Sequence, residues 1–341
     1  MKQTFRKIWL AFRKHILTDV KKGNISKPLH FLLAVFKRRF LGYPYVALIE
    51  TGNFCNICCP TCTTPHRKIR REKALMPFEN FKKVIDNIKD SVHIAHLYYS
   101  GEPLLHPDIC RMANYAHKNH LYTSISTNAT LLTKEKAKEI FQSGLDEIIV
   151  CLDGVKKESY EAFRVGANFE TVMENIRYFC AQKQALKLQK PFIEMQFVLH
   201  RFNQDEVPAV EKLAQELKVD RLHIKTFALG EYAYSPEEIA ELSAKYFPDN
   251  GDALAKRRYE KQGDKLVVKE PPRFCSMAKS LAFILVDGRL SMCCYDLQGE
   301  YIWGDMLAQK LKTVWFSKEL AEKRKVAIER QYPLCKKCSI Y

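Results

Sequence analysis

Cys55, Cys59 and Cys62 lie on the stretch Glu50-Thr-Gly-Asn-Phe-Cys55-Asn-Ile-Cys58-Cys59-Pro-Thr-Cys62, directly after a short β-branched and aromatic run. Three thiolates spaced by three and two residues on a tight loop can each hold one iron of a four-iron cube, leaving the fourth iron without a protein ligand. A small chelating molecule can occupy that open corner, so the pattern offers chemistry rather than closure. A structural zinc site wants four ligands, and His66 is the only nearby candidate for the fourth.

A second group stands near the other end of the chain, as Cys275-x12-Gly288-x4-Cys293 followed by Cys335-x2-Cys338. The runs 281–286 and 289–293 read as a hairpin about a two-residue Asp287-Gly288 turn, which returns Cys293 towards the segment carrying Cys275. Four thiolates can close around zinc or around a fully ligated [4Fe–4S] cluster, and spacing does not choose between them. Of the other cysteines, Cys110 and Cys180 fall in helical patterns as core residues, while Cys58 and Cys294 adjoin ligands and read as spare.

Short β-branched or aromatic runs alternate with helical patterns around these motifs, the rhythm of βα units on a parallel sheet. Strands are expected at 45–50, 94–99, 122–127, 147–153, 193–199 and 222–226. Helices are expected at 77–90, 108–119, 134–143, 169–187 and 204–217. Six such units predict an α/β fold, a partial (β/α)6 TIM-like barrel, with the site at the C-terminal ends of its strands. Cys151, at the end of the fourth strand, then faces the barrel interior. The expected organisation is a basic amphipathic extension over 1–44, a core barrel over 45–230, a strand-poor linker with some helix over 231–270 and a small cluster-bearing module over 271–341.

The formal charge of +16 is uneven. Residues 1–40 hold eleven basic residues against Asp19 alone, and the rest of the 341-residue chain is nearly balanced. A uniformly basic nucleic-acid-binding body is therefore not expected, and no nucleic-acid reader motif accompanies the charge. Phe5, Ile8, Trp9 and Phe12, then Leu29, Leu32, Leu33 and Phe36, recur at helical steps among these cations. The expectation is a helical extension packed on the barrel with a solvated charged face; peripheral contact of residues 1–40 with an anionic membrane is the alternative. The apolar run 31–36 is far shorter than the ~20 residues a membrane span needs. Twelve cysteines without a cleavable signal pattern point to a reducing, cytoplasmic setting.

On these motifs the sequence resembles the radical S-adenosylmethionine (SAM) superfamily, whose signature is C-x3-C-x2-C after the first strand of a partial barrel. The resemblance extends over residues 45–230. Tyr99-Ser100-Gly101-Glu102-Pro103 is similar to the family's GGE motif at the SAM amino group, and Ser126-Thr-Asn128 to its SAM-contacting S-T-N. Cys151-Leu-Asp153-Gly154 with Arg164-Val-Gly-Ala-Asn-Phe169 resembles the family's fourth-strand pattern, which implies Asp153 near the ribose and Arg164 on the SAM carboxylate. Two positions depart from the pattern: Thr61 replaces the usual aromatic beside the third cysteine, and Cys151 replaces a serine. The second cysteine group resembles the twitch form of the SPASM module, which implies one auxiliary [4Fe–4S] cluster on Cys275, Cys293, Cys335 and Cys338.

The resemblance implies reductive cleavage of SAM to a 5′-deoxyadenosyl radical that abstracts a hydrogen atom from substrate, fed by an external reductant of flavodoxin or ferredoxin type. An auxiliary cluster able to take the second electron makes oxidation of a small polar metabolite, such as a sugar or cyclitol, the first expectation. Maturation of a ribosomal peptide is the second, and epimerisation with Cys151 as hydrogen donor the third. A metal-stabilised binding protein at a membrane surface is the reading from outside enzymology.

Overall fold

A computed structural model describes residues 26–66, 68–229, 233–249, 259–262, 265–268, 273–336 and 338. Helix α1 (Ser26–Leu41) leads into β1 (Val46–Ile49), and βα units follow: α2 (Phe78–Ile88), β2 (Ile94–His96), α3 (Ile109–Lys118), β3 (Tyr122–Thr127), α4 (Lys134–Ser143) and β4 (Glu147–Cys151). Helices α5 (Lys157–Phe163) and α6 (Phe169–Ala185), strand β5 (Phe192–Val198), helix α7 (Val207–Glu216) and strand β6 (Arg221–Lys225) complete the barrel. Strands β1 to β6 pair in parallel in chain order, as the alternating pattern predicts. The helices start and stop where local chemistry says they should. The Thr133 hydroxyl accepts from the Lys136 N–H at 3.2 Å to cap α4, which ends at Gly144 with φ of +77°.

The two faces of the sheet differ in kind. Ala95, Leu97, Ile125, Ile148, Val150, Ile193, Met195 and Phe197 are buried in the main core, where apolar residues of the helices such as Phe81, Val84, Ile85 and Ile88 of α2 also lie. Several of the alternate positions are polar and touch one another across strands. His96 Nδ1 lies 2.5 Å from Ser124 Oγ, Arg221 bridges Glu147 and Glu194, and His223 Nδ1 lies 2.9 Å from Glu194 Oε1. Fully buried parallel sheets carry apolar side chains on both faces, so this second face reads as the lining of a polar lumen.

Strand β9 (Leu281–Ile284) runs parallel to β1, and β10 (Arg289–Ser291) and β11 (Ile302–Asp305) continue antiparallel. Nine strands share the sheet, in the order β11-β10-β9-β1-β2-β3-β4-β5-β6. The C-terminal module thus extends the barrel sheet. The turn between β9 and β10 corrects the expected two-residue loop. Gly288 N donates to Leu285 O at 2.8 Å and Leu285 N to Arg289 O at 2.9 Å, with Gly288 at φ +86°, so the connection is Val286-Asp287-Gly288. This is a type I turn closed by a left-handed glycine bulge.

The segment read as a strand-poor linker contains helix α8 (Pro236–Tyr246), started by a Ser235–Glu238 capping box, and a two-stranded ribbon of β7 (Tyr259–Gln262) and β8 (Lys265–Val268). Tyr259 joins Phe163, Phe227, Leu229, Tyr246 and Phe247 in a separate small core. Long-range aromatic packing stabilises what local sequence does not announce. Helices α9 (Ser276–Ser280), α10 (Leu311–Trp315), α11 (Lys318–Ile328) and α12 (Pro333–Lys336) complete the module, and α9, α11 and α12 contribute to the cavity at the second cysteine group. Of the amphipathic residues noted in the extension, Phe5, Ile8, Trp9 and Phe12 lie outside the described residues.

Candidate radical SAM site and auxiliary metal centre

The loop leaving β1 is shaped by its own side chains. Asn53 donates to Glu72 O at 2.7 Å and accepts from Ala74 N at 2.8 Å, and Cys62 N donates to Cys59 O at 3.1 Å. Gly101 lets the strand-two motif approach this loop. It sits at φ +79°, and a Cβ there would lie 2.6 Å from Phe54 O and 2.7 Å from Gly52 O. Glu102 N then donates to Phe54 O at 2.9 Å.

The residues singled out around the cysteines converge through hydrogen bonds. Glu102 accepts from Leu104 N at 3.0 Å, Thr127 Oγ1 at 2.7 Å and Asn128 N at 2.8 Å. Asn128 Nδ2 in turn donates to Cys55 Sγ at 3.7 Å. Arg164 Nη1 lies 3.7 Å from Cys59 Sγ and its other terminal nitrogen pairs with Asp153. Asp153 Oδ1 accepts from Val198 N at 2.7 Å. Ser126 Oγ meets Cys151 Sγ at 3.4 Å. Ser100 alone turns away, its hydroxyl bonded to Glu50.

Burial sets the electrostatics. It pushes the Cys59 thiol up to about 12 against the opposing pull of Arg164, raises Cys55, and raises the carboxyl of Glu102 despite its three donors. Buried thiols of this kind ionise readily only when a metal takes the proton's place. Burial likewise raises the Cys151 thiol.

Sequence reasoning missed several supports. Glu50 is fully buried and accepts from Arg71 Nη1 and Nη2 at 2.8 Å each, from Ser100 and from Val286 N at 2.8 Å. Arg71 Nε continues to Leu297 O at 2.6 Å, which ties the cysteine loop to the C-terminal module. Tyr234 donates to Cys62 O at 3.2 Å, placing an aromatic ring beside the third cysteine where Thr61 supplies none. These pairings join residues too far apart in sequence for spacing to reveal.

Cys275, Cys293, Cys335 and Cys338 line one cavity, and Cys294, set aside as spare, lines it too. Cys275 N donates to Ile328 O at 2.7 Å and Cys338 N to Cys335 O at 3.2 Å, which fixes the segments around it. Burial pushes Cys293 up to about 12. Among the described residues no three metal-binding side chains converge on one point as a single ion needs. Thiols spread around a cavity, with no carboxylate or imidazole among the five donors, fit an iron–sulfur cluster. At the first site, the three thiols and the buried, unpartnered Arg164 Nε–H fit a cluster carrying an anionic ligand. Tyr99 connects the two sites, its hydroxyl donating to Cys293 O at 3.0 Å.

Compared with known families, the chain matches the radical SAM superfamily over residues 49–189 and the SPASM iron–sulfur cluster-binding domain over residues 275–339. It belongs to the radical SAM superfamily, as an enzyme with a C-terminal SPASM-type domain. Its cofactors are accordingly SAM, a catalytic [4Fe–4S] cluster and auxiliary iron–sulfur. A tungsten-containing aldehyde ferredoxin oxidoreductase cofactor-modifying protein of Pyrococcus furiosus is 23% identical over 315 residues, 86% of each chain. A PqqA peptide cyclase of Bradyrhizobium diazoefficiens is 28% identical over 184 residues, 54% of this chain and 46% of that protein, so the chain spans about half of that relative. Among solved structures, Streptococcus suis SuiB bound to precursor peptide SuiA aligns with a TM-score of 0.62 at 15% identity, over 95% of this chain and 83% of SuiB. BtrN in complex with AdoMet and 2-DOIA aligns with a TM-score of 0.51 at 16% identity, over 86% of this chain and 92% of BtrN. At such identities the likeness is one of fold.

Proposed function

We propose that this enzyme matures a peptide, removing a hydrogen atom from an unactivated carbon and then a second electron. When bound, SAM and the catalytic cluster supply the carbon-centred radical that this requires. In this reading Cys55, Cys59 and Cys62 hold the cluster, and Glu102, locked by three donors, presents its remaining lone pairs to the SAM amino group. Arg164 presents its planar fork to the SAM carboxylate while Asp153 holds the guanidinium in place. Ser126, Asn128 and Gly101 shape the surrounding wall, and Ser100 acts from behind, through Glu50. Cys275, Cys293, Cys335 and Cys338 hold the auxiliary cluster. A flavodoxin- or ferredoxin-type protein delivers the electron from outside.

The observation that carries the reading is the coupling of the two cysteine sites through one continuous sheet and the Tyr99 to Cys293 hydrogen bond, which gives the second electron a nearby acceptor site. The choice of peptide rests on the relatives: a peptide cyclase matches 54% of this chain, and the protein solved with its precursor peptide aligns over more of this chain than BtrN does. Oxidation of a sugar or cyclitol, the first expectation from sequence, has the weaker support. Anaerobically reconstituted enzyme with dithionite and SAM should form more 5′-deoxyadenosine when given a mixture of random peptides, and mass spectrometry should show peptides lighter by two hydrogens. No response to peptides alongside a response to cyclitols would overturn the proposal.

A further inference from the structure

Helix α1 carries apolar side chains on two sides. On one, Val35 packs on Tyr45, Val46 and Ile94, Lys37 Nζ donates to Asp90 O at 2.7 Å and the Arg38 guanidinium lies 5.5 Å over the Tyr45 ring. These contacts fix the helix against the N-terminal ends of β1 and β2. On the other, Leu32, Leu33, Phe36 and Phe40 are exposed by 62, 47, 49 and 70%, and the Phe36 and Phe40 rings lie 5.0 Å apart. The steps of three and four residues make these one stripe. Other large exposed apolar residues, such as Val165, Leu186, Phe202 and Phe274, are scattered through the chain. An apolar stripe on a helix this well anchored is a surface waiting for a cover.

We propose that α1 docks this stripe on an anionic lipid bilayer, with the enzyme lying on the membrane surface. Charge selects this occupant. In sequence, residues 1–40 carry eleven cations against one anion, so pairing two copies through this segment would bring like charge to like charge, whereas anionic headgroups neutralise it. A cation-rich segment that presents an exposed apolar helix face matches an interface that is negative outside and hydrocarbon just beneath. Among the described residues no helix is long and apolar enough to cross a membrane, in accord with a helix that lies flat. Because α1 packs at the N-terminal ends of the strands, docking leaves the cysteine loop, at their C-terminal ends, facing away from the lipid.

The full-length, reconstituted enzyme would be sedimented with vesicles of phosphatidylcholine alone and of equimolar phosphatidylcholine and phosphatidylglycerol. The expected result is about tenfold or greater preference for the anionic vesicles, shrinking as salt rises. F36S/F40S should lower that binding at least about tenfold, while SAM cleavage in solution stays unchanged. L32S serves as a second variant should the first fail to fold. Equal binding to both vesicle types, no effect of the variants on binding, or a wild-type dimer that F36S/F40S turns into a monomer by light scattering would overturn the proposal.

Discussion

Arg71→Met would strip the buried Glu50 carboxylate of the one ionic partner it has among the described residues. The Glu50 side chain is 0% and the Arg71 side chain 11% exposed, so solvent does little to relieve either charge. Removing one partner of such a pair costs about 3–5 kcal/mol, against about 0–1 kcal/mol for a pair on the surface. The change also removes the Arg71 Nε donor to Leu297 O, a bond across the seam to the C-terminal module. Glu50→Gln made in the Arg71→Met background should recover at least about half of the loss, because a neutral amide can still serve Ser100 and Val286 N. Urea unfolding under anaerobic conditions would measure both variants. The buried Trp303 and Trp315 report on the C-terminal module by fluorescence, and circular dichroism reports on the whole chain. A single variant that loses less than about 1 kcal/mol, or a double variant no more stable than the single, would refute the claim that this ion pair is a buried staple.

Gly101→Ala places a methyl group against the backbone oxygens of Phe54 and Gly52 and adds about 1–2 kcal/mol for the left-handed backbone. It should lower the iron held at the first site, read by iron analysis after reconstitution; unchanged iron would speak against the close approach. Wild-type protein should hold about eight irons per chain, and Cys275→Ala about four, if each site carries a four-iron cluster. Burial lowers the His96 imidazole from 6.5 to about 4, so it is neutral in the folded protein. Its contribution to stability is complete above pH 6.5 and is lost as pH falls towards 4, by up to about 3 kcal/mol. Unfolding curves between these limits should flatten in His96→Gln; equal pH slopes in both proteins would reject the assignment.

Much of this was legible in sequence because the informative signals are local. Strand β3 and helix α4 have the expected bounds, since alternation and a Thr133–Gly144 frame are written within single segments. The cysteine spacings stand out in sequence for the same reason. What stayed hidden depends on distant partners. Helix α5, only seven residues long, is too short for periodicity to stand out. Strands β7 and β8 gain their place from Tyr259, buried among aromatics from the barrel and α8. Ser100 reads as part of a ligand motif, yet its hydroxyl serves Glu50, fifty residues earlier. Cys294 adjoins Cys293 in sequence, and only the fold of the module turns both onto the shared cavity.

Strand β1 lies between β2 and β9, so the strand that launches the cysteine loop is flanked on both sides. A shortened protein ending before Leu281 would uncover the hydrogen-bonding rim of that strand in the middle of the machine and invite aggregation there. The barrel and its appendage are therefore not modules that can be exchanged freely; any relative that dispenses with the second must supply another edge guard for β1.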